Sequence, residues 1–216
     1  MRIPAAAELE MILFAVNIHT QVEYIRRMNA GALTFEWNEL TSEQLFAISH
    51  HSLMFLFGIW QEEQHFIPLC GAPEAALKED LASVQKYKGK TNERFTQFLI
   101  NAALYSGKFA NCCAETLQLL DPMCGRGTTL FQAVNRGWNA FGLDADKKEI
   151  AECNLYFEKY LQFHHFKHKK TTSSHTIQGK NPVALTRFEF HENHFLTTGS
   201  ADAVLSRAVF GRDFFI

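Results

Sequence analysis

The stretch LLDPMCGRGTTLFQAVNRGWNAFGLDADKKEI, residues 119–150, restricts the fold more than any other part of the chain. An apolar run ends at Asp121-Pro122. Gly125-Arg126-Gly127 follows, then a helix start at Thr128-Thr129, then a second apolar run that closes on Asp144. Strand, glycine turn, helix and strand in that order make a crossover unit, and such units build parallel sheets. The glycines let the backbone turn sharply and let a ligand approach without a Cβ in the way. An acid about 20 residues further on, at the end of the second strand, faces the same crevice in an open α/β sheet.

Three ligands compete for such a turn. A nucleoside triphosphate needs G-x-x-x-x-G-K-[ST], and no lysine follows Gly127. A dinucleotide prefers G-x-G-x-x-G, and the third glycine position holds Leu130. Asp121 would also set a negative charge beside a pyrophosphate. A ligand with cationic groups, a ribose and no phosphate agrees with both acids, and S-adenosylmethionine has that make-up.

Beyond this unit the pattern is mixed. Residues 12–16 (ILFAV), 52–60 (SLMFLFGIW) and 65–70 (HFIPLC) read as strands, the last two as a hairpin across QEEQ. HTQVEYIRRMN (19–29) and TSEQLFAISHH (41–51) read as short helices, the second with Thr41 as N-cap. Residues 1–75 thus form a small α+β extension, and 76–216 the second domain. Pro73-Glu74 opens a helix through about Gln85, Lys86 to Asn92 is a polar break, and a helix from 93 ends at Gly107. That last helix places Phe95, Phe98, Leu99, Ala102 and Ala103 on one face. Residues 147–163 form an amphipathic helix, about 167–182 a polar loop, and 188–199 a third strand or hairpin. SADAVLSRAV (200–209) reads as a helix and DFFI (213–216) as a fourth strand.

Composition narrows the function classes. The chain has 216 residues, 47% apolar and 20% charged, with a formal charge of −2, so any basic site must be local. No run of about 18 apolar residues is present, and no membrane span is expected. Glu8 and Glu10 fall where a signal peptide needs an apolar core. The five cysteines are odd in number and form no C-x-x-C, which argues against a disulfide framework and a zinc knuckle. A cytoplasmic protein without a metal is the expectation. His164 and His168 share an i, i+4 spacing, but as the end of a helix with Lys167, Lys169 and Lys170 they suit phosphates better than a metal. Cys124 reads as a small turn residue rather than a nucleophile. Arg126 reads either as a phosphate contact or as an exposed helix-start residue.

DPMCGRGTT followed by GLDAD resembles the first two cofactor motifs of class I S-adenosylmethionine-dependent methyltransferases. The Asp-Pro-x-Cys-Gly-x-Gly-Thr form is similar to amino-methyltransferases of nucleic-acid bases, including the RNA guanine methylase group. LASVQKYKGKTNERFTQFLINAAL also resembles the segment that precedes the motif in a bacterial branch of these enzymes. The resemblance covers about residues 80–216. It implies a Rossmann-like methyltransferase sheet that binds S-adenosylmethionine and N-methylates an exocyclic amino group of an RNA or DNA base. Asp121, Pro122, Cys124, Gly125, Gly127 and Thr128 would then line the methionine moiety. Asp144 would take the ribose hydroxyls, with Asp146 as its substitute, and Ala145 would lie by the adenine. Ser200 or Asp202 would sit near the adenine amino group, and Lys90, Thr91 and Asn92 would reach the carboxylate end.

The same group catalyses through a [DNS]-[PL]-P-[YF] motif after its fourth strand, with an aromatic ring that stacks on the extracted base. That motif does not occur here, so the catalytic residues stay unassigned. The expectation is an incomplete sheet, from a truncated chain or one whose missing C-terminal half comes from elsewhere, with a homo-oligomer as the other partner expected. A non-catalytic protein of the same fold that binds the cofactor or RNA is the first alternative, and a nicotinamide-dependent oxidoreductase the second.

Overall fold

A computed structural model describes residues 2–27, 30–61, 65–110, 117–175, 182–190 and 194–200. The chain divides into two compact units, one of residues 1–74 with 97–111, the other of 75–96 with 112–216. Residues 97–111, placed in the second domain on sequence grounds, therefore cluster with the first. Among the described residues no helix is long and apolar enough to cross a membrane.

The first unit begins with helix α1, Arg2–Ala15. ILFAV is thus helical and not a strand. The run ahead of it, Ala5 to Met11, is rich in Ala, Leu, Glu and Met, which favour helix. Its buried side chains, Ala5, Glu8, Leu9, Ile12 and Leu13, recur at helical spacing. Strands β1 (Glu23–Arg27) and β2 (Ala30–Thr34) then pair antiparallel, with Ile25 opposite Ala32. This replaces the helix expected over 19–29, and Tyr24 and Ile25 are residue types that suit strands. Helix α2 (Ser42–Ser49) starts as expected: Thr41 Oγ1 accepts from Gln44 N–H, and Gln44 Oε1 accepts from Thr41 N–H. Strands β3 (Leu56–Gln61) and β4 (His65–Gly71) form the expected antiparallel hairpin, Ile59 opposite Ile67 and Trp60 opposite Phe66.

A polar network lies inside this unit. The Glu8 carboxylate, 1% exposed, accepts from Ser52 N–H at 2.8 Å, Ser52 Oγ at 2.5 Å and Asn101 Nδ2 at 2.5 Å. His51 Nδ1 accepts from Leu53 N–H, which leaves Nε2–H to donate to Ala5 O at 3.0 Å. Asn101 belongs to helix α4 (Glu93–Tyr105), whose buried positions include Thr96, Ile100, Asn101 and Leu104. Phe95 and Leu99, expected on its core face, are instead about half exposed.

The second unit is mixed α/β. Its short helix α3 spans only Leu81–Val84, not Pro73 to Gln85. Residues 75–80 are irregular, with a bend at 76–77 and a turn at 79–80, and are tied down by hydrogen bonds from Ala76 N–H to Asn135 O and from Asn135 Nδ2 to Lys78 O. Strand β5 (Gln118–Asp121), helix α5 (Thr128–Asn135), strand β6 (Asn139–Asp144) and helix α6 (Lys147–Phe163) follow in the expected order. The expected polar loop after α6 contains a strand, β7 (His168–His175), before β8 (Val183–Phe190) and β9 (His194–Ser200). The five strands form one sheet in the order β5-β6-β9-β8-β7. β5, β6 and β9 run parallel, while β8 and β7 add an antiparallel hairpin at the far side. Among the described strands β7 is an edge of the sheet, where Lys, Ser and Thr suit open backbone groups.

Helices α5 and α6 cover one face of this sheet. Gly142 on β6 lies so close to α5 that a Cβ there would fall 2.5 Å from Leu130 Cδ1 and 2.7 Å from Cys124 Sγ. Phe157 of α6 packs edge-on against Phe188 and Phe190 of β8, at 5.4 Å each, and stacks on Phe131 of α5 at 5.6 Å. Each such aromatic pair contributes about 1 kcal/mol beyond its buried area. The α6 tyrosines fasten the segment upstream of the turn: Tyr156 donates to Leu81 O and Tyr160 to the Asp80 carboxylate. Burial first, and the Asp80 charge next, push the Tyr156 hydroxyl up to about 12. The expected helix after 200 and the DFFI strand lie outside the described residues.

Candidate cofactor site

Because β5, β6 and β9 are parallel, their C-terminal ends share one edge of the sheet. Asp121 is in register with Gly142, and Asp144 with Ser200. The turn from β5 to α5 is tied directly to β6: Cys124 N–H donates to Leu143 O at 2.9 Å, and Gly125 N–H to Asp144 Oδ2 at 2.8 Å. Gly127 N–H closes the turn on Cys124 O at 2.8 Å, and Gly127 O accepts the first α5 bond, from Phe131. Gly125 and Gly127 have φ of 51° and 88°. At Gly127 a side chain would be strained by that φ, and its Cβ would lie 2.6 Å from Cys153 Sγ of α6.

The two carboxylates have different surroundings. Asp121 accepts from Met123 N–H at 3.0 Å and from the Thr129 hydroxyl. Burial is the main influence on it and raises its pKa above the usual carboxylate range. The Asp144 charge raises it further, against the two hydrogen bonds. Asp144 accepts one amide on each oxygen, from Gly125 and from Asp146. Asp146 itself is the N-cap of α6, accepting from Lys148 N–H at 2.8 Å. Ala145 is exposed beside Asp144.

Cys124 is buried, and burial pushes its thiol well above the ordinary range, with Cys153, Asp121 and Asp144 adding to the rise. Cys153, buried on α6, is pushed up to about 12 by the same burial. Neither sulfur has the electropositive setting that makes a nucleophile; Cys124 fills the space against Gly142.

Of the residues expected at the carboxylate end, Lys90 and Asn92 have structural partners. Lys90 Nζ donates to Ala82 O at 2.6 Å and pairs with Glu93. Asn92 Oδ1 caps α4, accepting from the amides of Arg94 and Phe95. Thr91 is exposed. The residue from this segment that does meet the turn is Tyr87, whose hydroxyl lies 3.3 Å from Thr128 Oγ1. Its ring faces the Arg126 guanidinium at 4.8 Å. Arg126 is held on its other side by Glu149 of α6, through Nε–Oε2 at 2.9 Å and Nη2–Oε1 at 3.2 Å. Arg126 is therefore engaged within the unit and not an exposed helix-start residue. The only hint of this clasp in the sequence is an aromatic residue inside an otherwise polar break.

Ser200 ends β9 at the same sheet edge, while Asp202 lies outside the described residues. His164 caps the end of α6 and His168 opens β7, so the two do not share a helix face. Lys170 pairs with Glu158 at 2.7 Å. Among the described residues no group of three or more His, Cys, Asp or Glu is arranged to hold a metal ion. A scan against protein-family models finds no match to this sequence, and a search of curated proteins finds none either.

Proposed function

We propose that the second unit binds S-adenosylmethionine and that the chain is the cofactor-binding part of a methyltransferase for an exocyclic amino group of an RNA or DNA base. The observation that carries this reading is the pair Asp121 and Asp144. They end adjacent parallel strands around a glycine turn that contains no lysine. A phosphate would meet two negative charges there, one of them already costly to ionise. A ligand with a sulfonium and an ammonium would relieve that cost. A carboxylate has about four acceptor positions, and Asp144 uses two on amides, which leaves acceptors for a ribose diol.

The cofactor would supply an electrophilic methyl group; the protein's part is to bind and orient. Asp121 meets the cationic methionine end, and the turn from Pro122 to Thr128 gives it backbone without intruding side chains. Ala145 and Ser200 line the adenine side. The nucleic-acid substrate rests on the likeness of DPMCGRGTT to the base amino-methyltransferases, and the acceptor chemistry is assigned to none of these residues. Calorimetric titration with S-adenosylhomocysteine and, separately, with NADH tests the reading. Binding of the first alone is the expected result; silence with the first on folded protein, or binding of the second, would refute it.

A further inference from the structure

The end of α6 and the strand that follows it carry a positive charge that the chain as a whole does not. From residue 159 to residue 188 the sequence has six Lys or Arg, four His and no Asp or Glu. The whole chain has 23 acids against 21 Lys and Arg, so this run is a local asymmetry. Its first part folds into the last turn of α6, the corner at 164–167 and the strand β7. Lys170 is engaged by Glu158, and Arg187 by Glu189. Lys159, Lys167 and Lys169 are exposed and pair with no acid among the described residues.

The same corner presents an aromatic ring. Phe163 is 78% exposed and lies four residues after Lys159, on the same face of α6. The His164 ring meets it edge-on at 4.9 Å and rests on the buried Tyr160 at 4.4 Å, so Phe163 is propped from behind. The carbonyls of Tyr160, Leu161 and Gln162 accept from the amides of His164, Phe166 and His165. This helix end therefore shows an anion few bare acceptors. On β7 the residues from Lys169 to Ser174 are all exposed, and four of them carry hydroxyls. Lysines and hydroxyls are donors that proteins turn toward phosphate oxygens.

Charge and ring together select the partner. Cations alone fit any polyanion, whereas a ring set among them suits a strand whose bases can stack on it. A membrane surface calls for a broad apolar face. The exposed residues around Phe163 are instead Gln162, His165 and Lys167. From the glycine turn, α6 runs 17 residues, about 25 Å, before it reaches this corner. The corner is thus a contact separate from the turn, and it needs no cofactor.

We propose that residues 159–171 are a docking surface for single-stranded nucleic acid, with Lys159, Lys167 and Lys169 on phosphates and Phe163 under a base. Fluorescence anisotropy of labelled RNA and DNA single strands of about 20 nucleotides, titrated with the full chain across a salt series, tests this. Affinity should fall with salt, with a log–log slope of about −0.7 per phosphate contacted. Lys159→Gln, Lys167→Gln and Lys169→Gln combined should make the slope shallower by about 2. Phe163→Ala should weaken binding roughly 5- to 150-fold and leave the slope unchanged. All four side chains are exposed, so far-ultraviolet circular dichroism should match the parent. Should a variant misfold, hydrogen exchange of the parent decides: amides of 163–171 should gain protection when the oligonucleotide is added. No binding at low salt, a slope indifferent to the lysines, an affinity indifferent to Phe163, or no such protection would overturn the proposal. So would capture by phosphatidylserine vesicles of a chain that ignores the oligonucleotide. Silence with S-adenosylhomocysteine would refute the cofactor reading alone, because none of these measurements contains the cofactor.

Discussion

Asp121→Asn separates what the fold tolerates from what the proposed ligand needs. In the folded chain burial, and then the neighbouring Asp144 charge, hold the Asp121 carboxyl above its ordinary range. The fold therefore binds the proton more tightly than the unfolded chain does. The stability this gives is fully present below the unfolded carboxylate pKa and is lost as pH rises through the raised folded value. At neutral pH the ionised carboxylate is a cost. Asparagine keeps the acceptor that Met123 N–H uses at 3.0 Å and removes the charge. Urea unfolding should thus find the variant more stable than the parent at pH 7, with the gap closing toward pH 4. Binding should move the other way. One charge-assisted hydrogen bond to a cationic ligand is worth about 1.5–3 kcal/mol, or roughly 10- to 150-fold in affinity. Calorimetry with S-adenosylhomocysteine should show a loss in that range, and in the parent affinity should fall with pH as Asp121 takes up its proton. A variant less stable at pH 7, or one that binds as well as the parent, would refute the assignment of Asp121 as a cation-facing acid.

Asp144→Ala removes the acceptor for Gly125 and Asp146 amides and should weaken S-adenosylhomocysteine at least 10-fold, by about 1.5 kcal/mol, in the same titration. Glu8→Ala removes the buried acceptor of Ser52 N–H, Ser52 Oγ and Asn101 Nδ2, the last of which keeps its bond to His50 O at 2.8 Å; the loss costs about 1–3 kcal/mol per buried bond. The total should reach about 3–5 kcal/mol in urea unfolding, with Glu8→Gln falling between it and the parent. Gly142→Val forces a side chain into Leu130 and Cys124 and should cost about 1–3 kcal/mol, read from the same unfolding curves. Cys124 and Cys153 should stay unalkylated by iodoacetamide at pH 8 in the folded protein, as peptide mass mapping would show, and react once urea is added.

The parts that the sequence made legible are those fixed by neighbours along the chain. Thr41 and Gln44 sit three apart and cap α2 together; the turn from Asp121 to Thr128 is specified by its own glycines. Where one short apolar run had to be read alone, periodicity could not decide. ILFAV suits a buried strand as well as a buried helix turn, and the helix-forming residues ahead of it settled the matter. β7 was invisible because HKKTTSSH lacks the apolar alternation of an interior strand. The core face of α4 was misjudged because Asn101 is held by Glu8, a partner that no pattern within α4 announces. The site followed the same division. The acids were readable from their places at strand ends. The Tyr87–Arg126–Glu149 clasp joins three distant segments and left no mark beyond a single aromatic residue.

The bond from Asn101 to Glu8 spans 93 residues of sequence. During synthesis the chain emerges from its N-terminus at about 5–20 residues per second. Glu8 and Ser52 leave the ribosome seconds before Asn101 can reach Glu8. For that interval the carboxylate lacks the Asn101 donor it is built around. A pause in translation between residues 75 and 101 would lengthen that interval, and the buried carboxylate would stay short of one of its donors for as long as the pause lasts.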